Sequence, residues 1–190
     1  MITADAFRDQ PTLYGPRLRL EPMGLEHFDG MAPALTDPEI ARLTGSTGQV
    51  TPERARQWMA TRRDQHDRAD WAIVRAADGQ TLGEVVLNEL DEHSASVNFR
   101  ILLARPELFG HGYGTEATGL ALDYAFGTVG LHRIGLEVYD FNPRARRSYQ
   151  KSGFVVEGVR RDALRWGGAW HDSIVMSILS TDPRPGTANG

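Results

Sequence analysis

The sequence predicts one α/β domain of the α+β kind, with a mixed, largely antiparallel central sheet flanked by helices in the order βααβββαβαββ. Three observations carry this. A chain of 190 residues with 41% hydrophobic and 24% charged residues has the length and composition of one globular core. The hydrophobic period changes from helical to alternating at Trp71 and back to helical after Gly114. Between those changes, turn residues at Asp78-Gly79 and around Glu92 to Ser94 fold three strands into a meander.

Arg17-Leu18-Arg19-Leu20-Glu21-Pro22 alternates charged and apolar residues and stops at proline, the pattern of a short edge-type strand. Leu25 to Leu35 and Thr51 to His66 follow as helices, the second opened by Thr51 at the N-cap and Pro52 at the first helical position. The meander is Trp71 to Val74, Thr81 to Leu90 and Ala95 to Leu103. Ala117, Leu120, Ala121, Tyr124 and Ala125 then mark one helix face. Ile134, Leu136 and Val138 alternate with polar neighbours as a strand, and Asn142-Pro143 opens a second short helix that Gly153 closes. Phe154 to Val159 and Trp170 to Leu179 pair around Gly167-Gly168. The domain occupies 1–190 with a core of about 14–180, and the tail from Asp182 is expected to fray.

Several chemistries are excluded. Without cysteine there is no thiolate nucleophile, disulfide, Cys-ligated zinc or iron–sulfur cluster. Among 21 basic residues only Lys151 is a lysine, which argues against Schiff-base chemistry. A net charge of −4 disfavours nucleic acid as a partner. No window approaches the roughly 18 apolar residues of a membrane span, and the polar N-terminal stretch has no signal-peptide core, so no membrane partner and a cytoplasmic location are expected. No histidine has a spaced metal partner, and no metal is expected.

Charge is polarised along the chain. Asp78, Glu84, Glu89, Asp91 and Glu92 fall in a stretch without Lys or Arg, whereas Asn142 to Arg165 holds seven bases against two acids. The pattern reads as cation-binding and anion-binding sides of one pocket, or as two solvated faces. Gly110-His111-Gly112-Tyr113-Gly114, between strand and helix, can turn successive backbone N–H groups toward a phosphate at a helix N-terminus. It lacks the Gly-Lys-Ser/Thr of a Walker loop and follows a meander rather than a parallel βαβ unit.

The run Phe109-Gly-His-Gly-Tyr-Gly-Thr-Glu-Ala, with Gly130-Leu131-His132-Arg133-Ile134, Leu136-Glu137-Val138 and Asn142 through Phe154 in order, resembles the GNAT superfamily of acetyl-CoA-dependent N-acetyltransferases. An aromatic at Phe109, where the superfamily usually has Gln or Arg, is similar to the ribosomal-protein-alanine N-acetyltransferase subgroup. The resemblance spans about 14–180 and implies a GNAT-type sheet and direct transfer of acetyl from acetyl-CoA to a primary amine, on a protein N-terminus or a small molecule. A non-catalytic acyl-CoA-binding or sensor module is the alternative, since fold alone does not establish chemistry. Homodimerisation is left open.

The resemblance also assigns residues. Leu102, Leu103 and Ala104 would pair with the pantetheine arm; Gly110, His111, Gly112, Tyr113, Gly114 and Thr115 would hold the pyrophosphate. Asn142 would bond the pantetheine amides, its alternative being a helix N-cap. Arg144 and Arg147 are candidates for the adenosine 3′-phosphate, and Arg147 is preferred. Tyr149 matches the general acid beside the sulfur. Glu137 matches the proton acceptor of some N-terminal-alanine acetyltransferases; related enzymes often carry instead a glutamate where this chain has Ser96, and Glu84 is a third option. Glu116 reads as a carboxylate favoured by the helix dipole.

Overall fold

The structure, a computed structural model, describes residues 2–48 and 50–184. An eight-stranded sheet runs β1 (Leu13–Tyr14), β2 (Leu18–Pro22), β3 (Ala69–Arg75), β4 (Thr81–Asp91), β5 (Ser96–Leu103), β6 (Arg133–Tyr139), β8 (Ala169–Leu179), β7 (Val155–Trp166) in spatial order. Every neighbouring pair is antiparallel except β5 and β6. The helices are α1 (Phe28–Met31), α2 (Pro38–Thr44), α3 (Pro52–Ala60), α4 (Tyr113–Tyr124) and α5 (Pro143–Lys151).

Helices cover both faces of the sheet, which is why β3 is buried over nearly its whole length rather than on alternate residues. Trp71, Ile73, Val85, Leu87, Val97 and Phe99 form one core with Ala117, Ala121, Tyr124 and Tyr149 of α4 and α5. On the other face Ala72 and Val74 meet Phe28, Met31, Ala55 and Met59 of α1 and α3. Trp71 is fully buried, with its indole N–H donating to the Pro11 carbonyl at 3.0 Å.

Several elements differ from the sequence reading. The helix expected over Leu25 to Leu35 is broken into 3₁₀, α and 3₁₀ turns, with Pro33 inside the last of them. That expected over Thr51 to His66 stops at Ala60 and gives way to a 3₁₀ turn. Strand β1 and helix α2 add two elements to the order. Helix α2 has plain end signals: Asp37 accepts from the Ile40 N–H at 2.9 Å, Pro38 follows it, and Gly45 closes the helix at φ +66°. Helix α4 begins at Tyr113 and ends in one π-helical turn, 125–129, closed by Gly130 at φ +79°. Of the tail expected to fray, 185–190 lies outside the described residues.

The feature that positions the site is a split in the sheet. Parallel pairing of β5 with β6 is confined to Ser96–Arg133, Val97–Ile134 and Asn98–Gly135. Beyond it β5 stays with β4 as far as Leu103, and β6 stays with β8 along its full length. Each strand follows its antiparallel partner, so the two diverge and leave the β6-facing edge of Phe99 to Leu103 without a neighbouring strand.

Candidate active site

The split opens into a cavity of about 890 Å³, a volume suited to an extended ligand. Its walls come from β4 and β5, the loop 108–115, α5 along its length with Asn142 before it, the end of β6, and α2 with the residues after it.

At one end lies the glycine loop. Gly110 and Gly112 both have φ +81°, a conformation that disfavours any side chain bearing a Cβ. Gly112 is also the N-cap of α4, whose first-turn N–H groups lack helical acceptors. Gly110, Gly112, Tyr113, Gly114 and Thr115 line the cavity; His111 does not, and its carbonyl accepts from Arg17 at 2.9 Å. Thr115 and Ser148 share a hydroxyl–hydroxyl bond of 2.9 Å, joining α4 to α5 across the site.

Leu102 and Leu103 line the cavity on the open edge of β5. Ala104 does not: its side chain is fully buried in the core on the α3 side and its N–H donates to Leu82 at 2.8 Å, so the edge suited to strand-like pairing ends before it. Asn142 is buried and lines the cavity while its Oδ1 accepts from the Ala145 N–H at 3.1 Å, so it is an N-cap whose remaining amide capacity faces the site. Arg144, Arg147 and Lys151 bring positive charge to this wall, and the Arg144 guanidinium sits 3.8 Å from the centroid of Phe109.

Tyr149 is 9% exposed, edge-on to Phe99 at 6.2 Å and to Phe154 at 5.9 Å, and lines the cavity. No described group hydrogen-bonds its hydroxyl, and burial pushes the phenol up to about 12.

Carboxylates also line the cavity. Glu84 on β4 is half-buried beside Leu102 in the strand register, and no described side chain hydrogen-bonds it. Burial pushes its carboxyl up to about 7, against the pull of Arg100, Arg68 and Arg62 and reinforced by Asp70. Glu89 lines the cavity farther along β4, from a bulge where its φ is +57°. Glu137 also lines the cavity, but one oxygen pairs with Arg160 and the other accepts from Ser173 Oγ at 2.7 Å. The rest of the acid-rich stretch is surface structure: Asp78 pairs with Arg75, and Asp91 holds the Ser94 turn.

Three further placements were not legible. Gly45, after α2, approaches so closely that a Cβ there would lie 2.6 Å from the Tyr139 ring, which brings α2 to the cavity wall at the end of β6. Its Asp37-Pro38 and Gly45 signals were available, but nothing local indicates what α2 packs against. Glu116 is not simply a carboxylate resting on the helix dipole, since it is bonded to β2. Arg160, remote in sequence, neutralises Glu137. Among the described residues, no group of three or more His, Asp or Glu is placed to hold a metal ion, and no helix is long and apolar enough to cross a membrane.

Residues 17–155 match the model of the Acetyltransferase (GNAT) domain. The chain is 34% identical over 114 residues to the spermidine N(1)-acetyltransferase of Escherichia coli K12, covering 60% of this chain and 61% of that one. It thus spans about three-fifths of that relative's length. Among solved structures, spermidine N-acetyltransferase from Vibrio cholerae in complex with CoA and spermine superposes with a TM-score of 0.80 at 23% identity, over 88% of this chain and 98% of that one. Ribosomal-protein-S5-alanine acetyltransferase from Vibrio fischeri does so with a TM-score of 0.80 at 20% identity, over 93% of this chain and 100% of that one. At those identities the two structures speak for the shared fold. With a family match across most of the chain, laid over a split sheet and a glycine loop at a helix N-terminus, this protein belongs to the GNAT acetyltransferase family.

Proposed function

We propose that the protein moves the acetyl group of acetyl-CoA directly to a cationic primary amine. The observation that carries this reading is one cavity lined by a phosphate-competent glycine loop, by the carboxylates of Glu84 and Glu89, and by Tyr149. The residues fit the co-substrate. The glycine loop and first-turn amides of α4 suit a pyrophosphate, the free edge of Leu102 and Leu103 suits the amides of a pantetheine arm, and Arg147 suits an outer phosphate.

Acetyl-CoA supplies an activated carbonyl. The ammonium first gives up one proton; the freed nitrogen lone pair bonds to that carbon, the carbon–sulfur bond breaks, and as the amide forms the nitrogen loses a second proton while one reaches the sulfur, for a net release of one proton. Tyr149 is the proposed donor to sulfur: its raised pKa keeps the phenol protonated at neutral pH, and a thiolate released in the same apolar wall is a stronger base than in water. Glu84 is the proposed acceptor, directly or through water, in preference to Glu137. Titration near pH 7 suits a general base, and its oxygens are not held by other side chains, whereas those of Glu137 are occupied by Arg160 and Ser173. Glu84 and Glu89 together favour a positively charged acceptor, and the spermidine enzymes among the relatives make polyamines the first acceptors to test.

The deciding experiment measures thiol release from acetyl-CoA with spermidine, putrescine, an alanine-terminated peptide and a neutral aryl amine. Turnover with cationic amines, and little with the aryl amine, is the expected result. CoA binding without turnover of any amine would favour an acyl-CoA-binding module instead.

A further inference from the structure

The outer side of the glycine loop carries a set of bonds that the reaction itself does not use. Glu116 Oε1 accepts from the backbone N–H groups of Arg17 at 2.8 Å and Leu18 at 3.1 Å, and Glu116 Oε2 accepts from Arg17 Nε at 2.8 Å. Another guanidinium nitrogen of Arg17 donates to the His111 carbonyl at 2.9 Å, and its carbon lies 5.2 Å from the centroid of Tyr113. Gly15 closes the turn before β2 by donating to the Leu18 carbonyl at 2.8 Å, and a Cβ on Gly15 would lie 2.9 Å from Glu116 Oε1. Neither Arg17 nor Glu116 lines the cavity. The start of β2 is thereby fastened to the loop and to the first turn of α4, 99 residues later in the chain.

We infer that Arg17 and Glu116 are positioning residues that hold the glycine loop in its phosphate-binding shape. The inference rests on the reading of that loop as the pyrophosphate site. A loop with glycine at 110 and 112 is free to adopt many conformations, and fixing it only when a ligand arrives would subtract from affinity. The bonds to His111 and to the first turn of α4 fix it beforehand. They also settle an electrostatic conflict. A carboxylate in the first turn is welcome at a bare helix N-terminus, but beside a pyrophosphate it repels. Turned outward onto Arg17 and two amides, Glu116 keeps its place while its charge is compensated.

The test compares two acetyl donors that differ in the phosphates, acetyl-CoA and S-acetylpantetheine, together with CoA affinity by calorimetry. In Glu116→Ala and Arg17→Gln, KM for acetyl-CoA and Kd for CoA should rise by about tenfold. KM for the amine, and kcat/KM for S-acetylpantetheine, should stay near wild type. Glu116→Gln keeps an acceptor for the β2 amides but loses the charge pair, and should fall between. CoA affinity at the wild-type level in Arg17→Gln and Glu116→Gln would overturn the inference, as would equal losses for the two donors, which would indicate general damage to the fold. If Glu116→Ala does not fold, the Gln variants still decide. A wild-type protein that binds CoA but acetylates no amine would defeat the proposed function while leaving this test intact through CoA affinity, whereas failure to bind CoA would defeat both.

Discussion

At the scale of single residues, the proposed proton donor and acceptor are groups displaced from their ordinary pKa by burial. Tyr149→Phe keeps the ring against Phe99 and Phe154 and removes the transferable proton, so kcat should fall by about 10²-fold or more with CoA affinity little changed. Turnover near wild type would leave the ring with packing alone. Glu84 must be ionised to accept a proton, so kcat/KM should rise with pH through a limb near 7, and Glu84→Gln should lower the rate and erase that limb. Retention of the limb in Glu84→Gln, with its loss in Glu137→Gln, would move the role to Glu137. The same shift makes a stability statement of known sign. The folded-state pKa lies above the unfolded one, so between about pH 4.5 and 7 the unfolded chain gives up its proton first and folding stability declines. Glu84→Gln should therefore raise the melting temperature at pH 8 relative to its effect at pH 4.

At the scale of elements, α4 and α5 are tied by the Thr115–Ser148 contact, and with the glycine loop that caps α4 they form one unit at the proposed phosphate site. Gly112 sits in that unit at φ +81°, with a Cβ position 3.2 Å from an Arg17 nitrogen. A β-branched residue there meets both constraints at once. Gly112→Val should abolish the rise in melting temperature that CoA gives the wild type, while the far-UV circular dichroism of the sheet and helices stays the same. A wild-type CoA shift in that variant would take the loop out of phosphate binding.

Over the whole molecule, charges of both signs line one cavity: Arg144, Arg147 and Lys151 on α5 with Arg100 on β5, and Glu84 and Glu89 on β4. In the proposed reaction each reactant meets side chains of opposite charge. KM for acetyl-CoA and KM for a cationic amine should both rise as ionic strength goes from about 0.02 to 0.3 M, because the screening length falls from tens of ångströms to less than about 10 Å. The measurement is KM for acetyl-CoA, spermidine and a neutral amine at the two salt concentrations. Only the neutral amine should be indifferent, and salt-independent constants for spermidine would leave Glu84 and Glu89 without a part in acceptor binding.

The glycine loop, the helix starting at Asn142-Pro143 and the meander strands were legible in the sequence because each depends on local rules: positive φ at Gly112, a cap before proline, alternation within a strand. Those rules placed Tyr149 on a short helix and Glu84 on a strand without saying what faces them. Only the tertiary structure decided that Arg160, from a strand beyond β6, occupies Glu137 while Glu84 stays free of side-chain bonds, that Ala104 turns into the core, and that Glu116 reaches β2 rather than resting on its own helix. The physical reason is range. Dihedral preferences and hydrophobic period act over a few residues, whereas the charge environment of a carboxylate and the parting of β5 from β6 are set by strands brought together from distant parts of the chain.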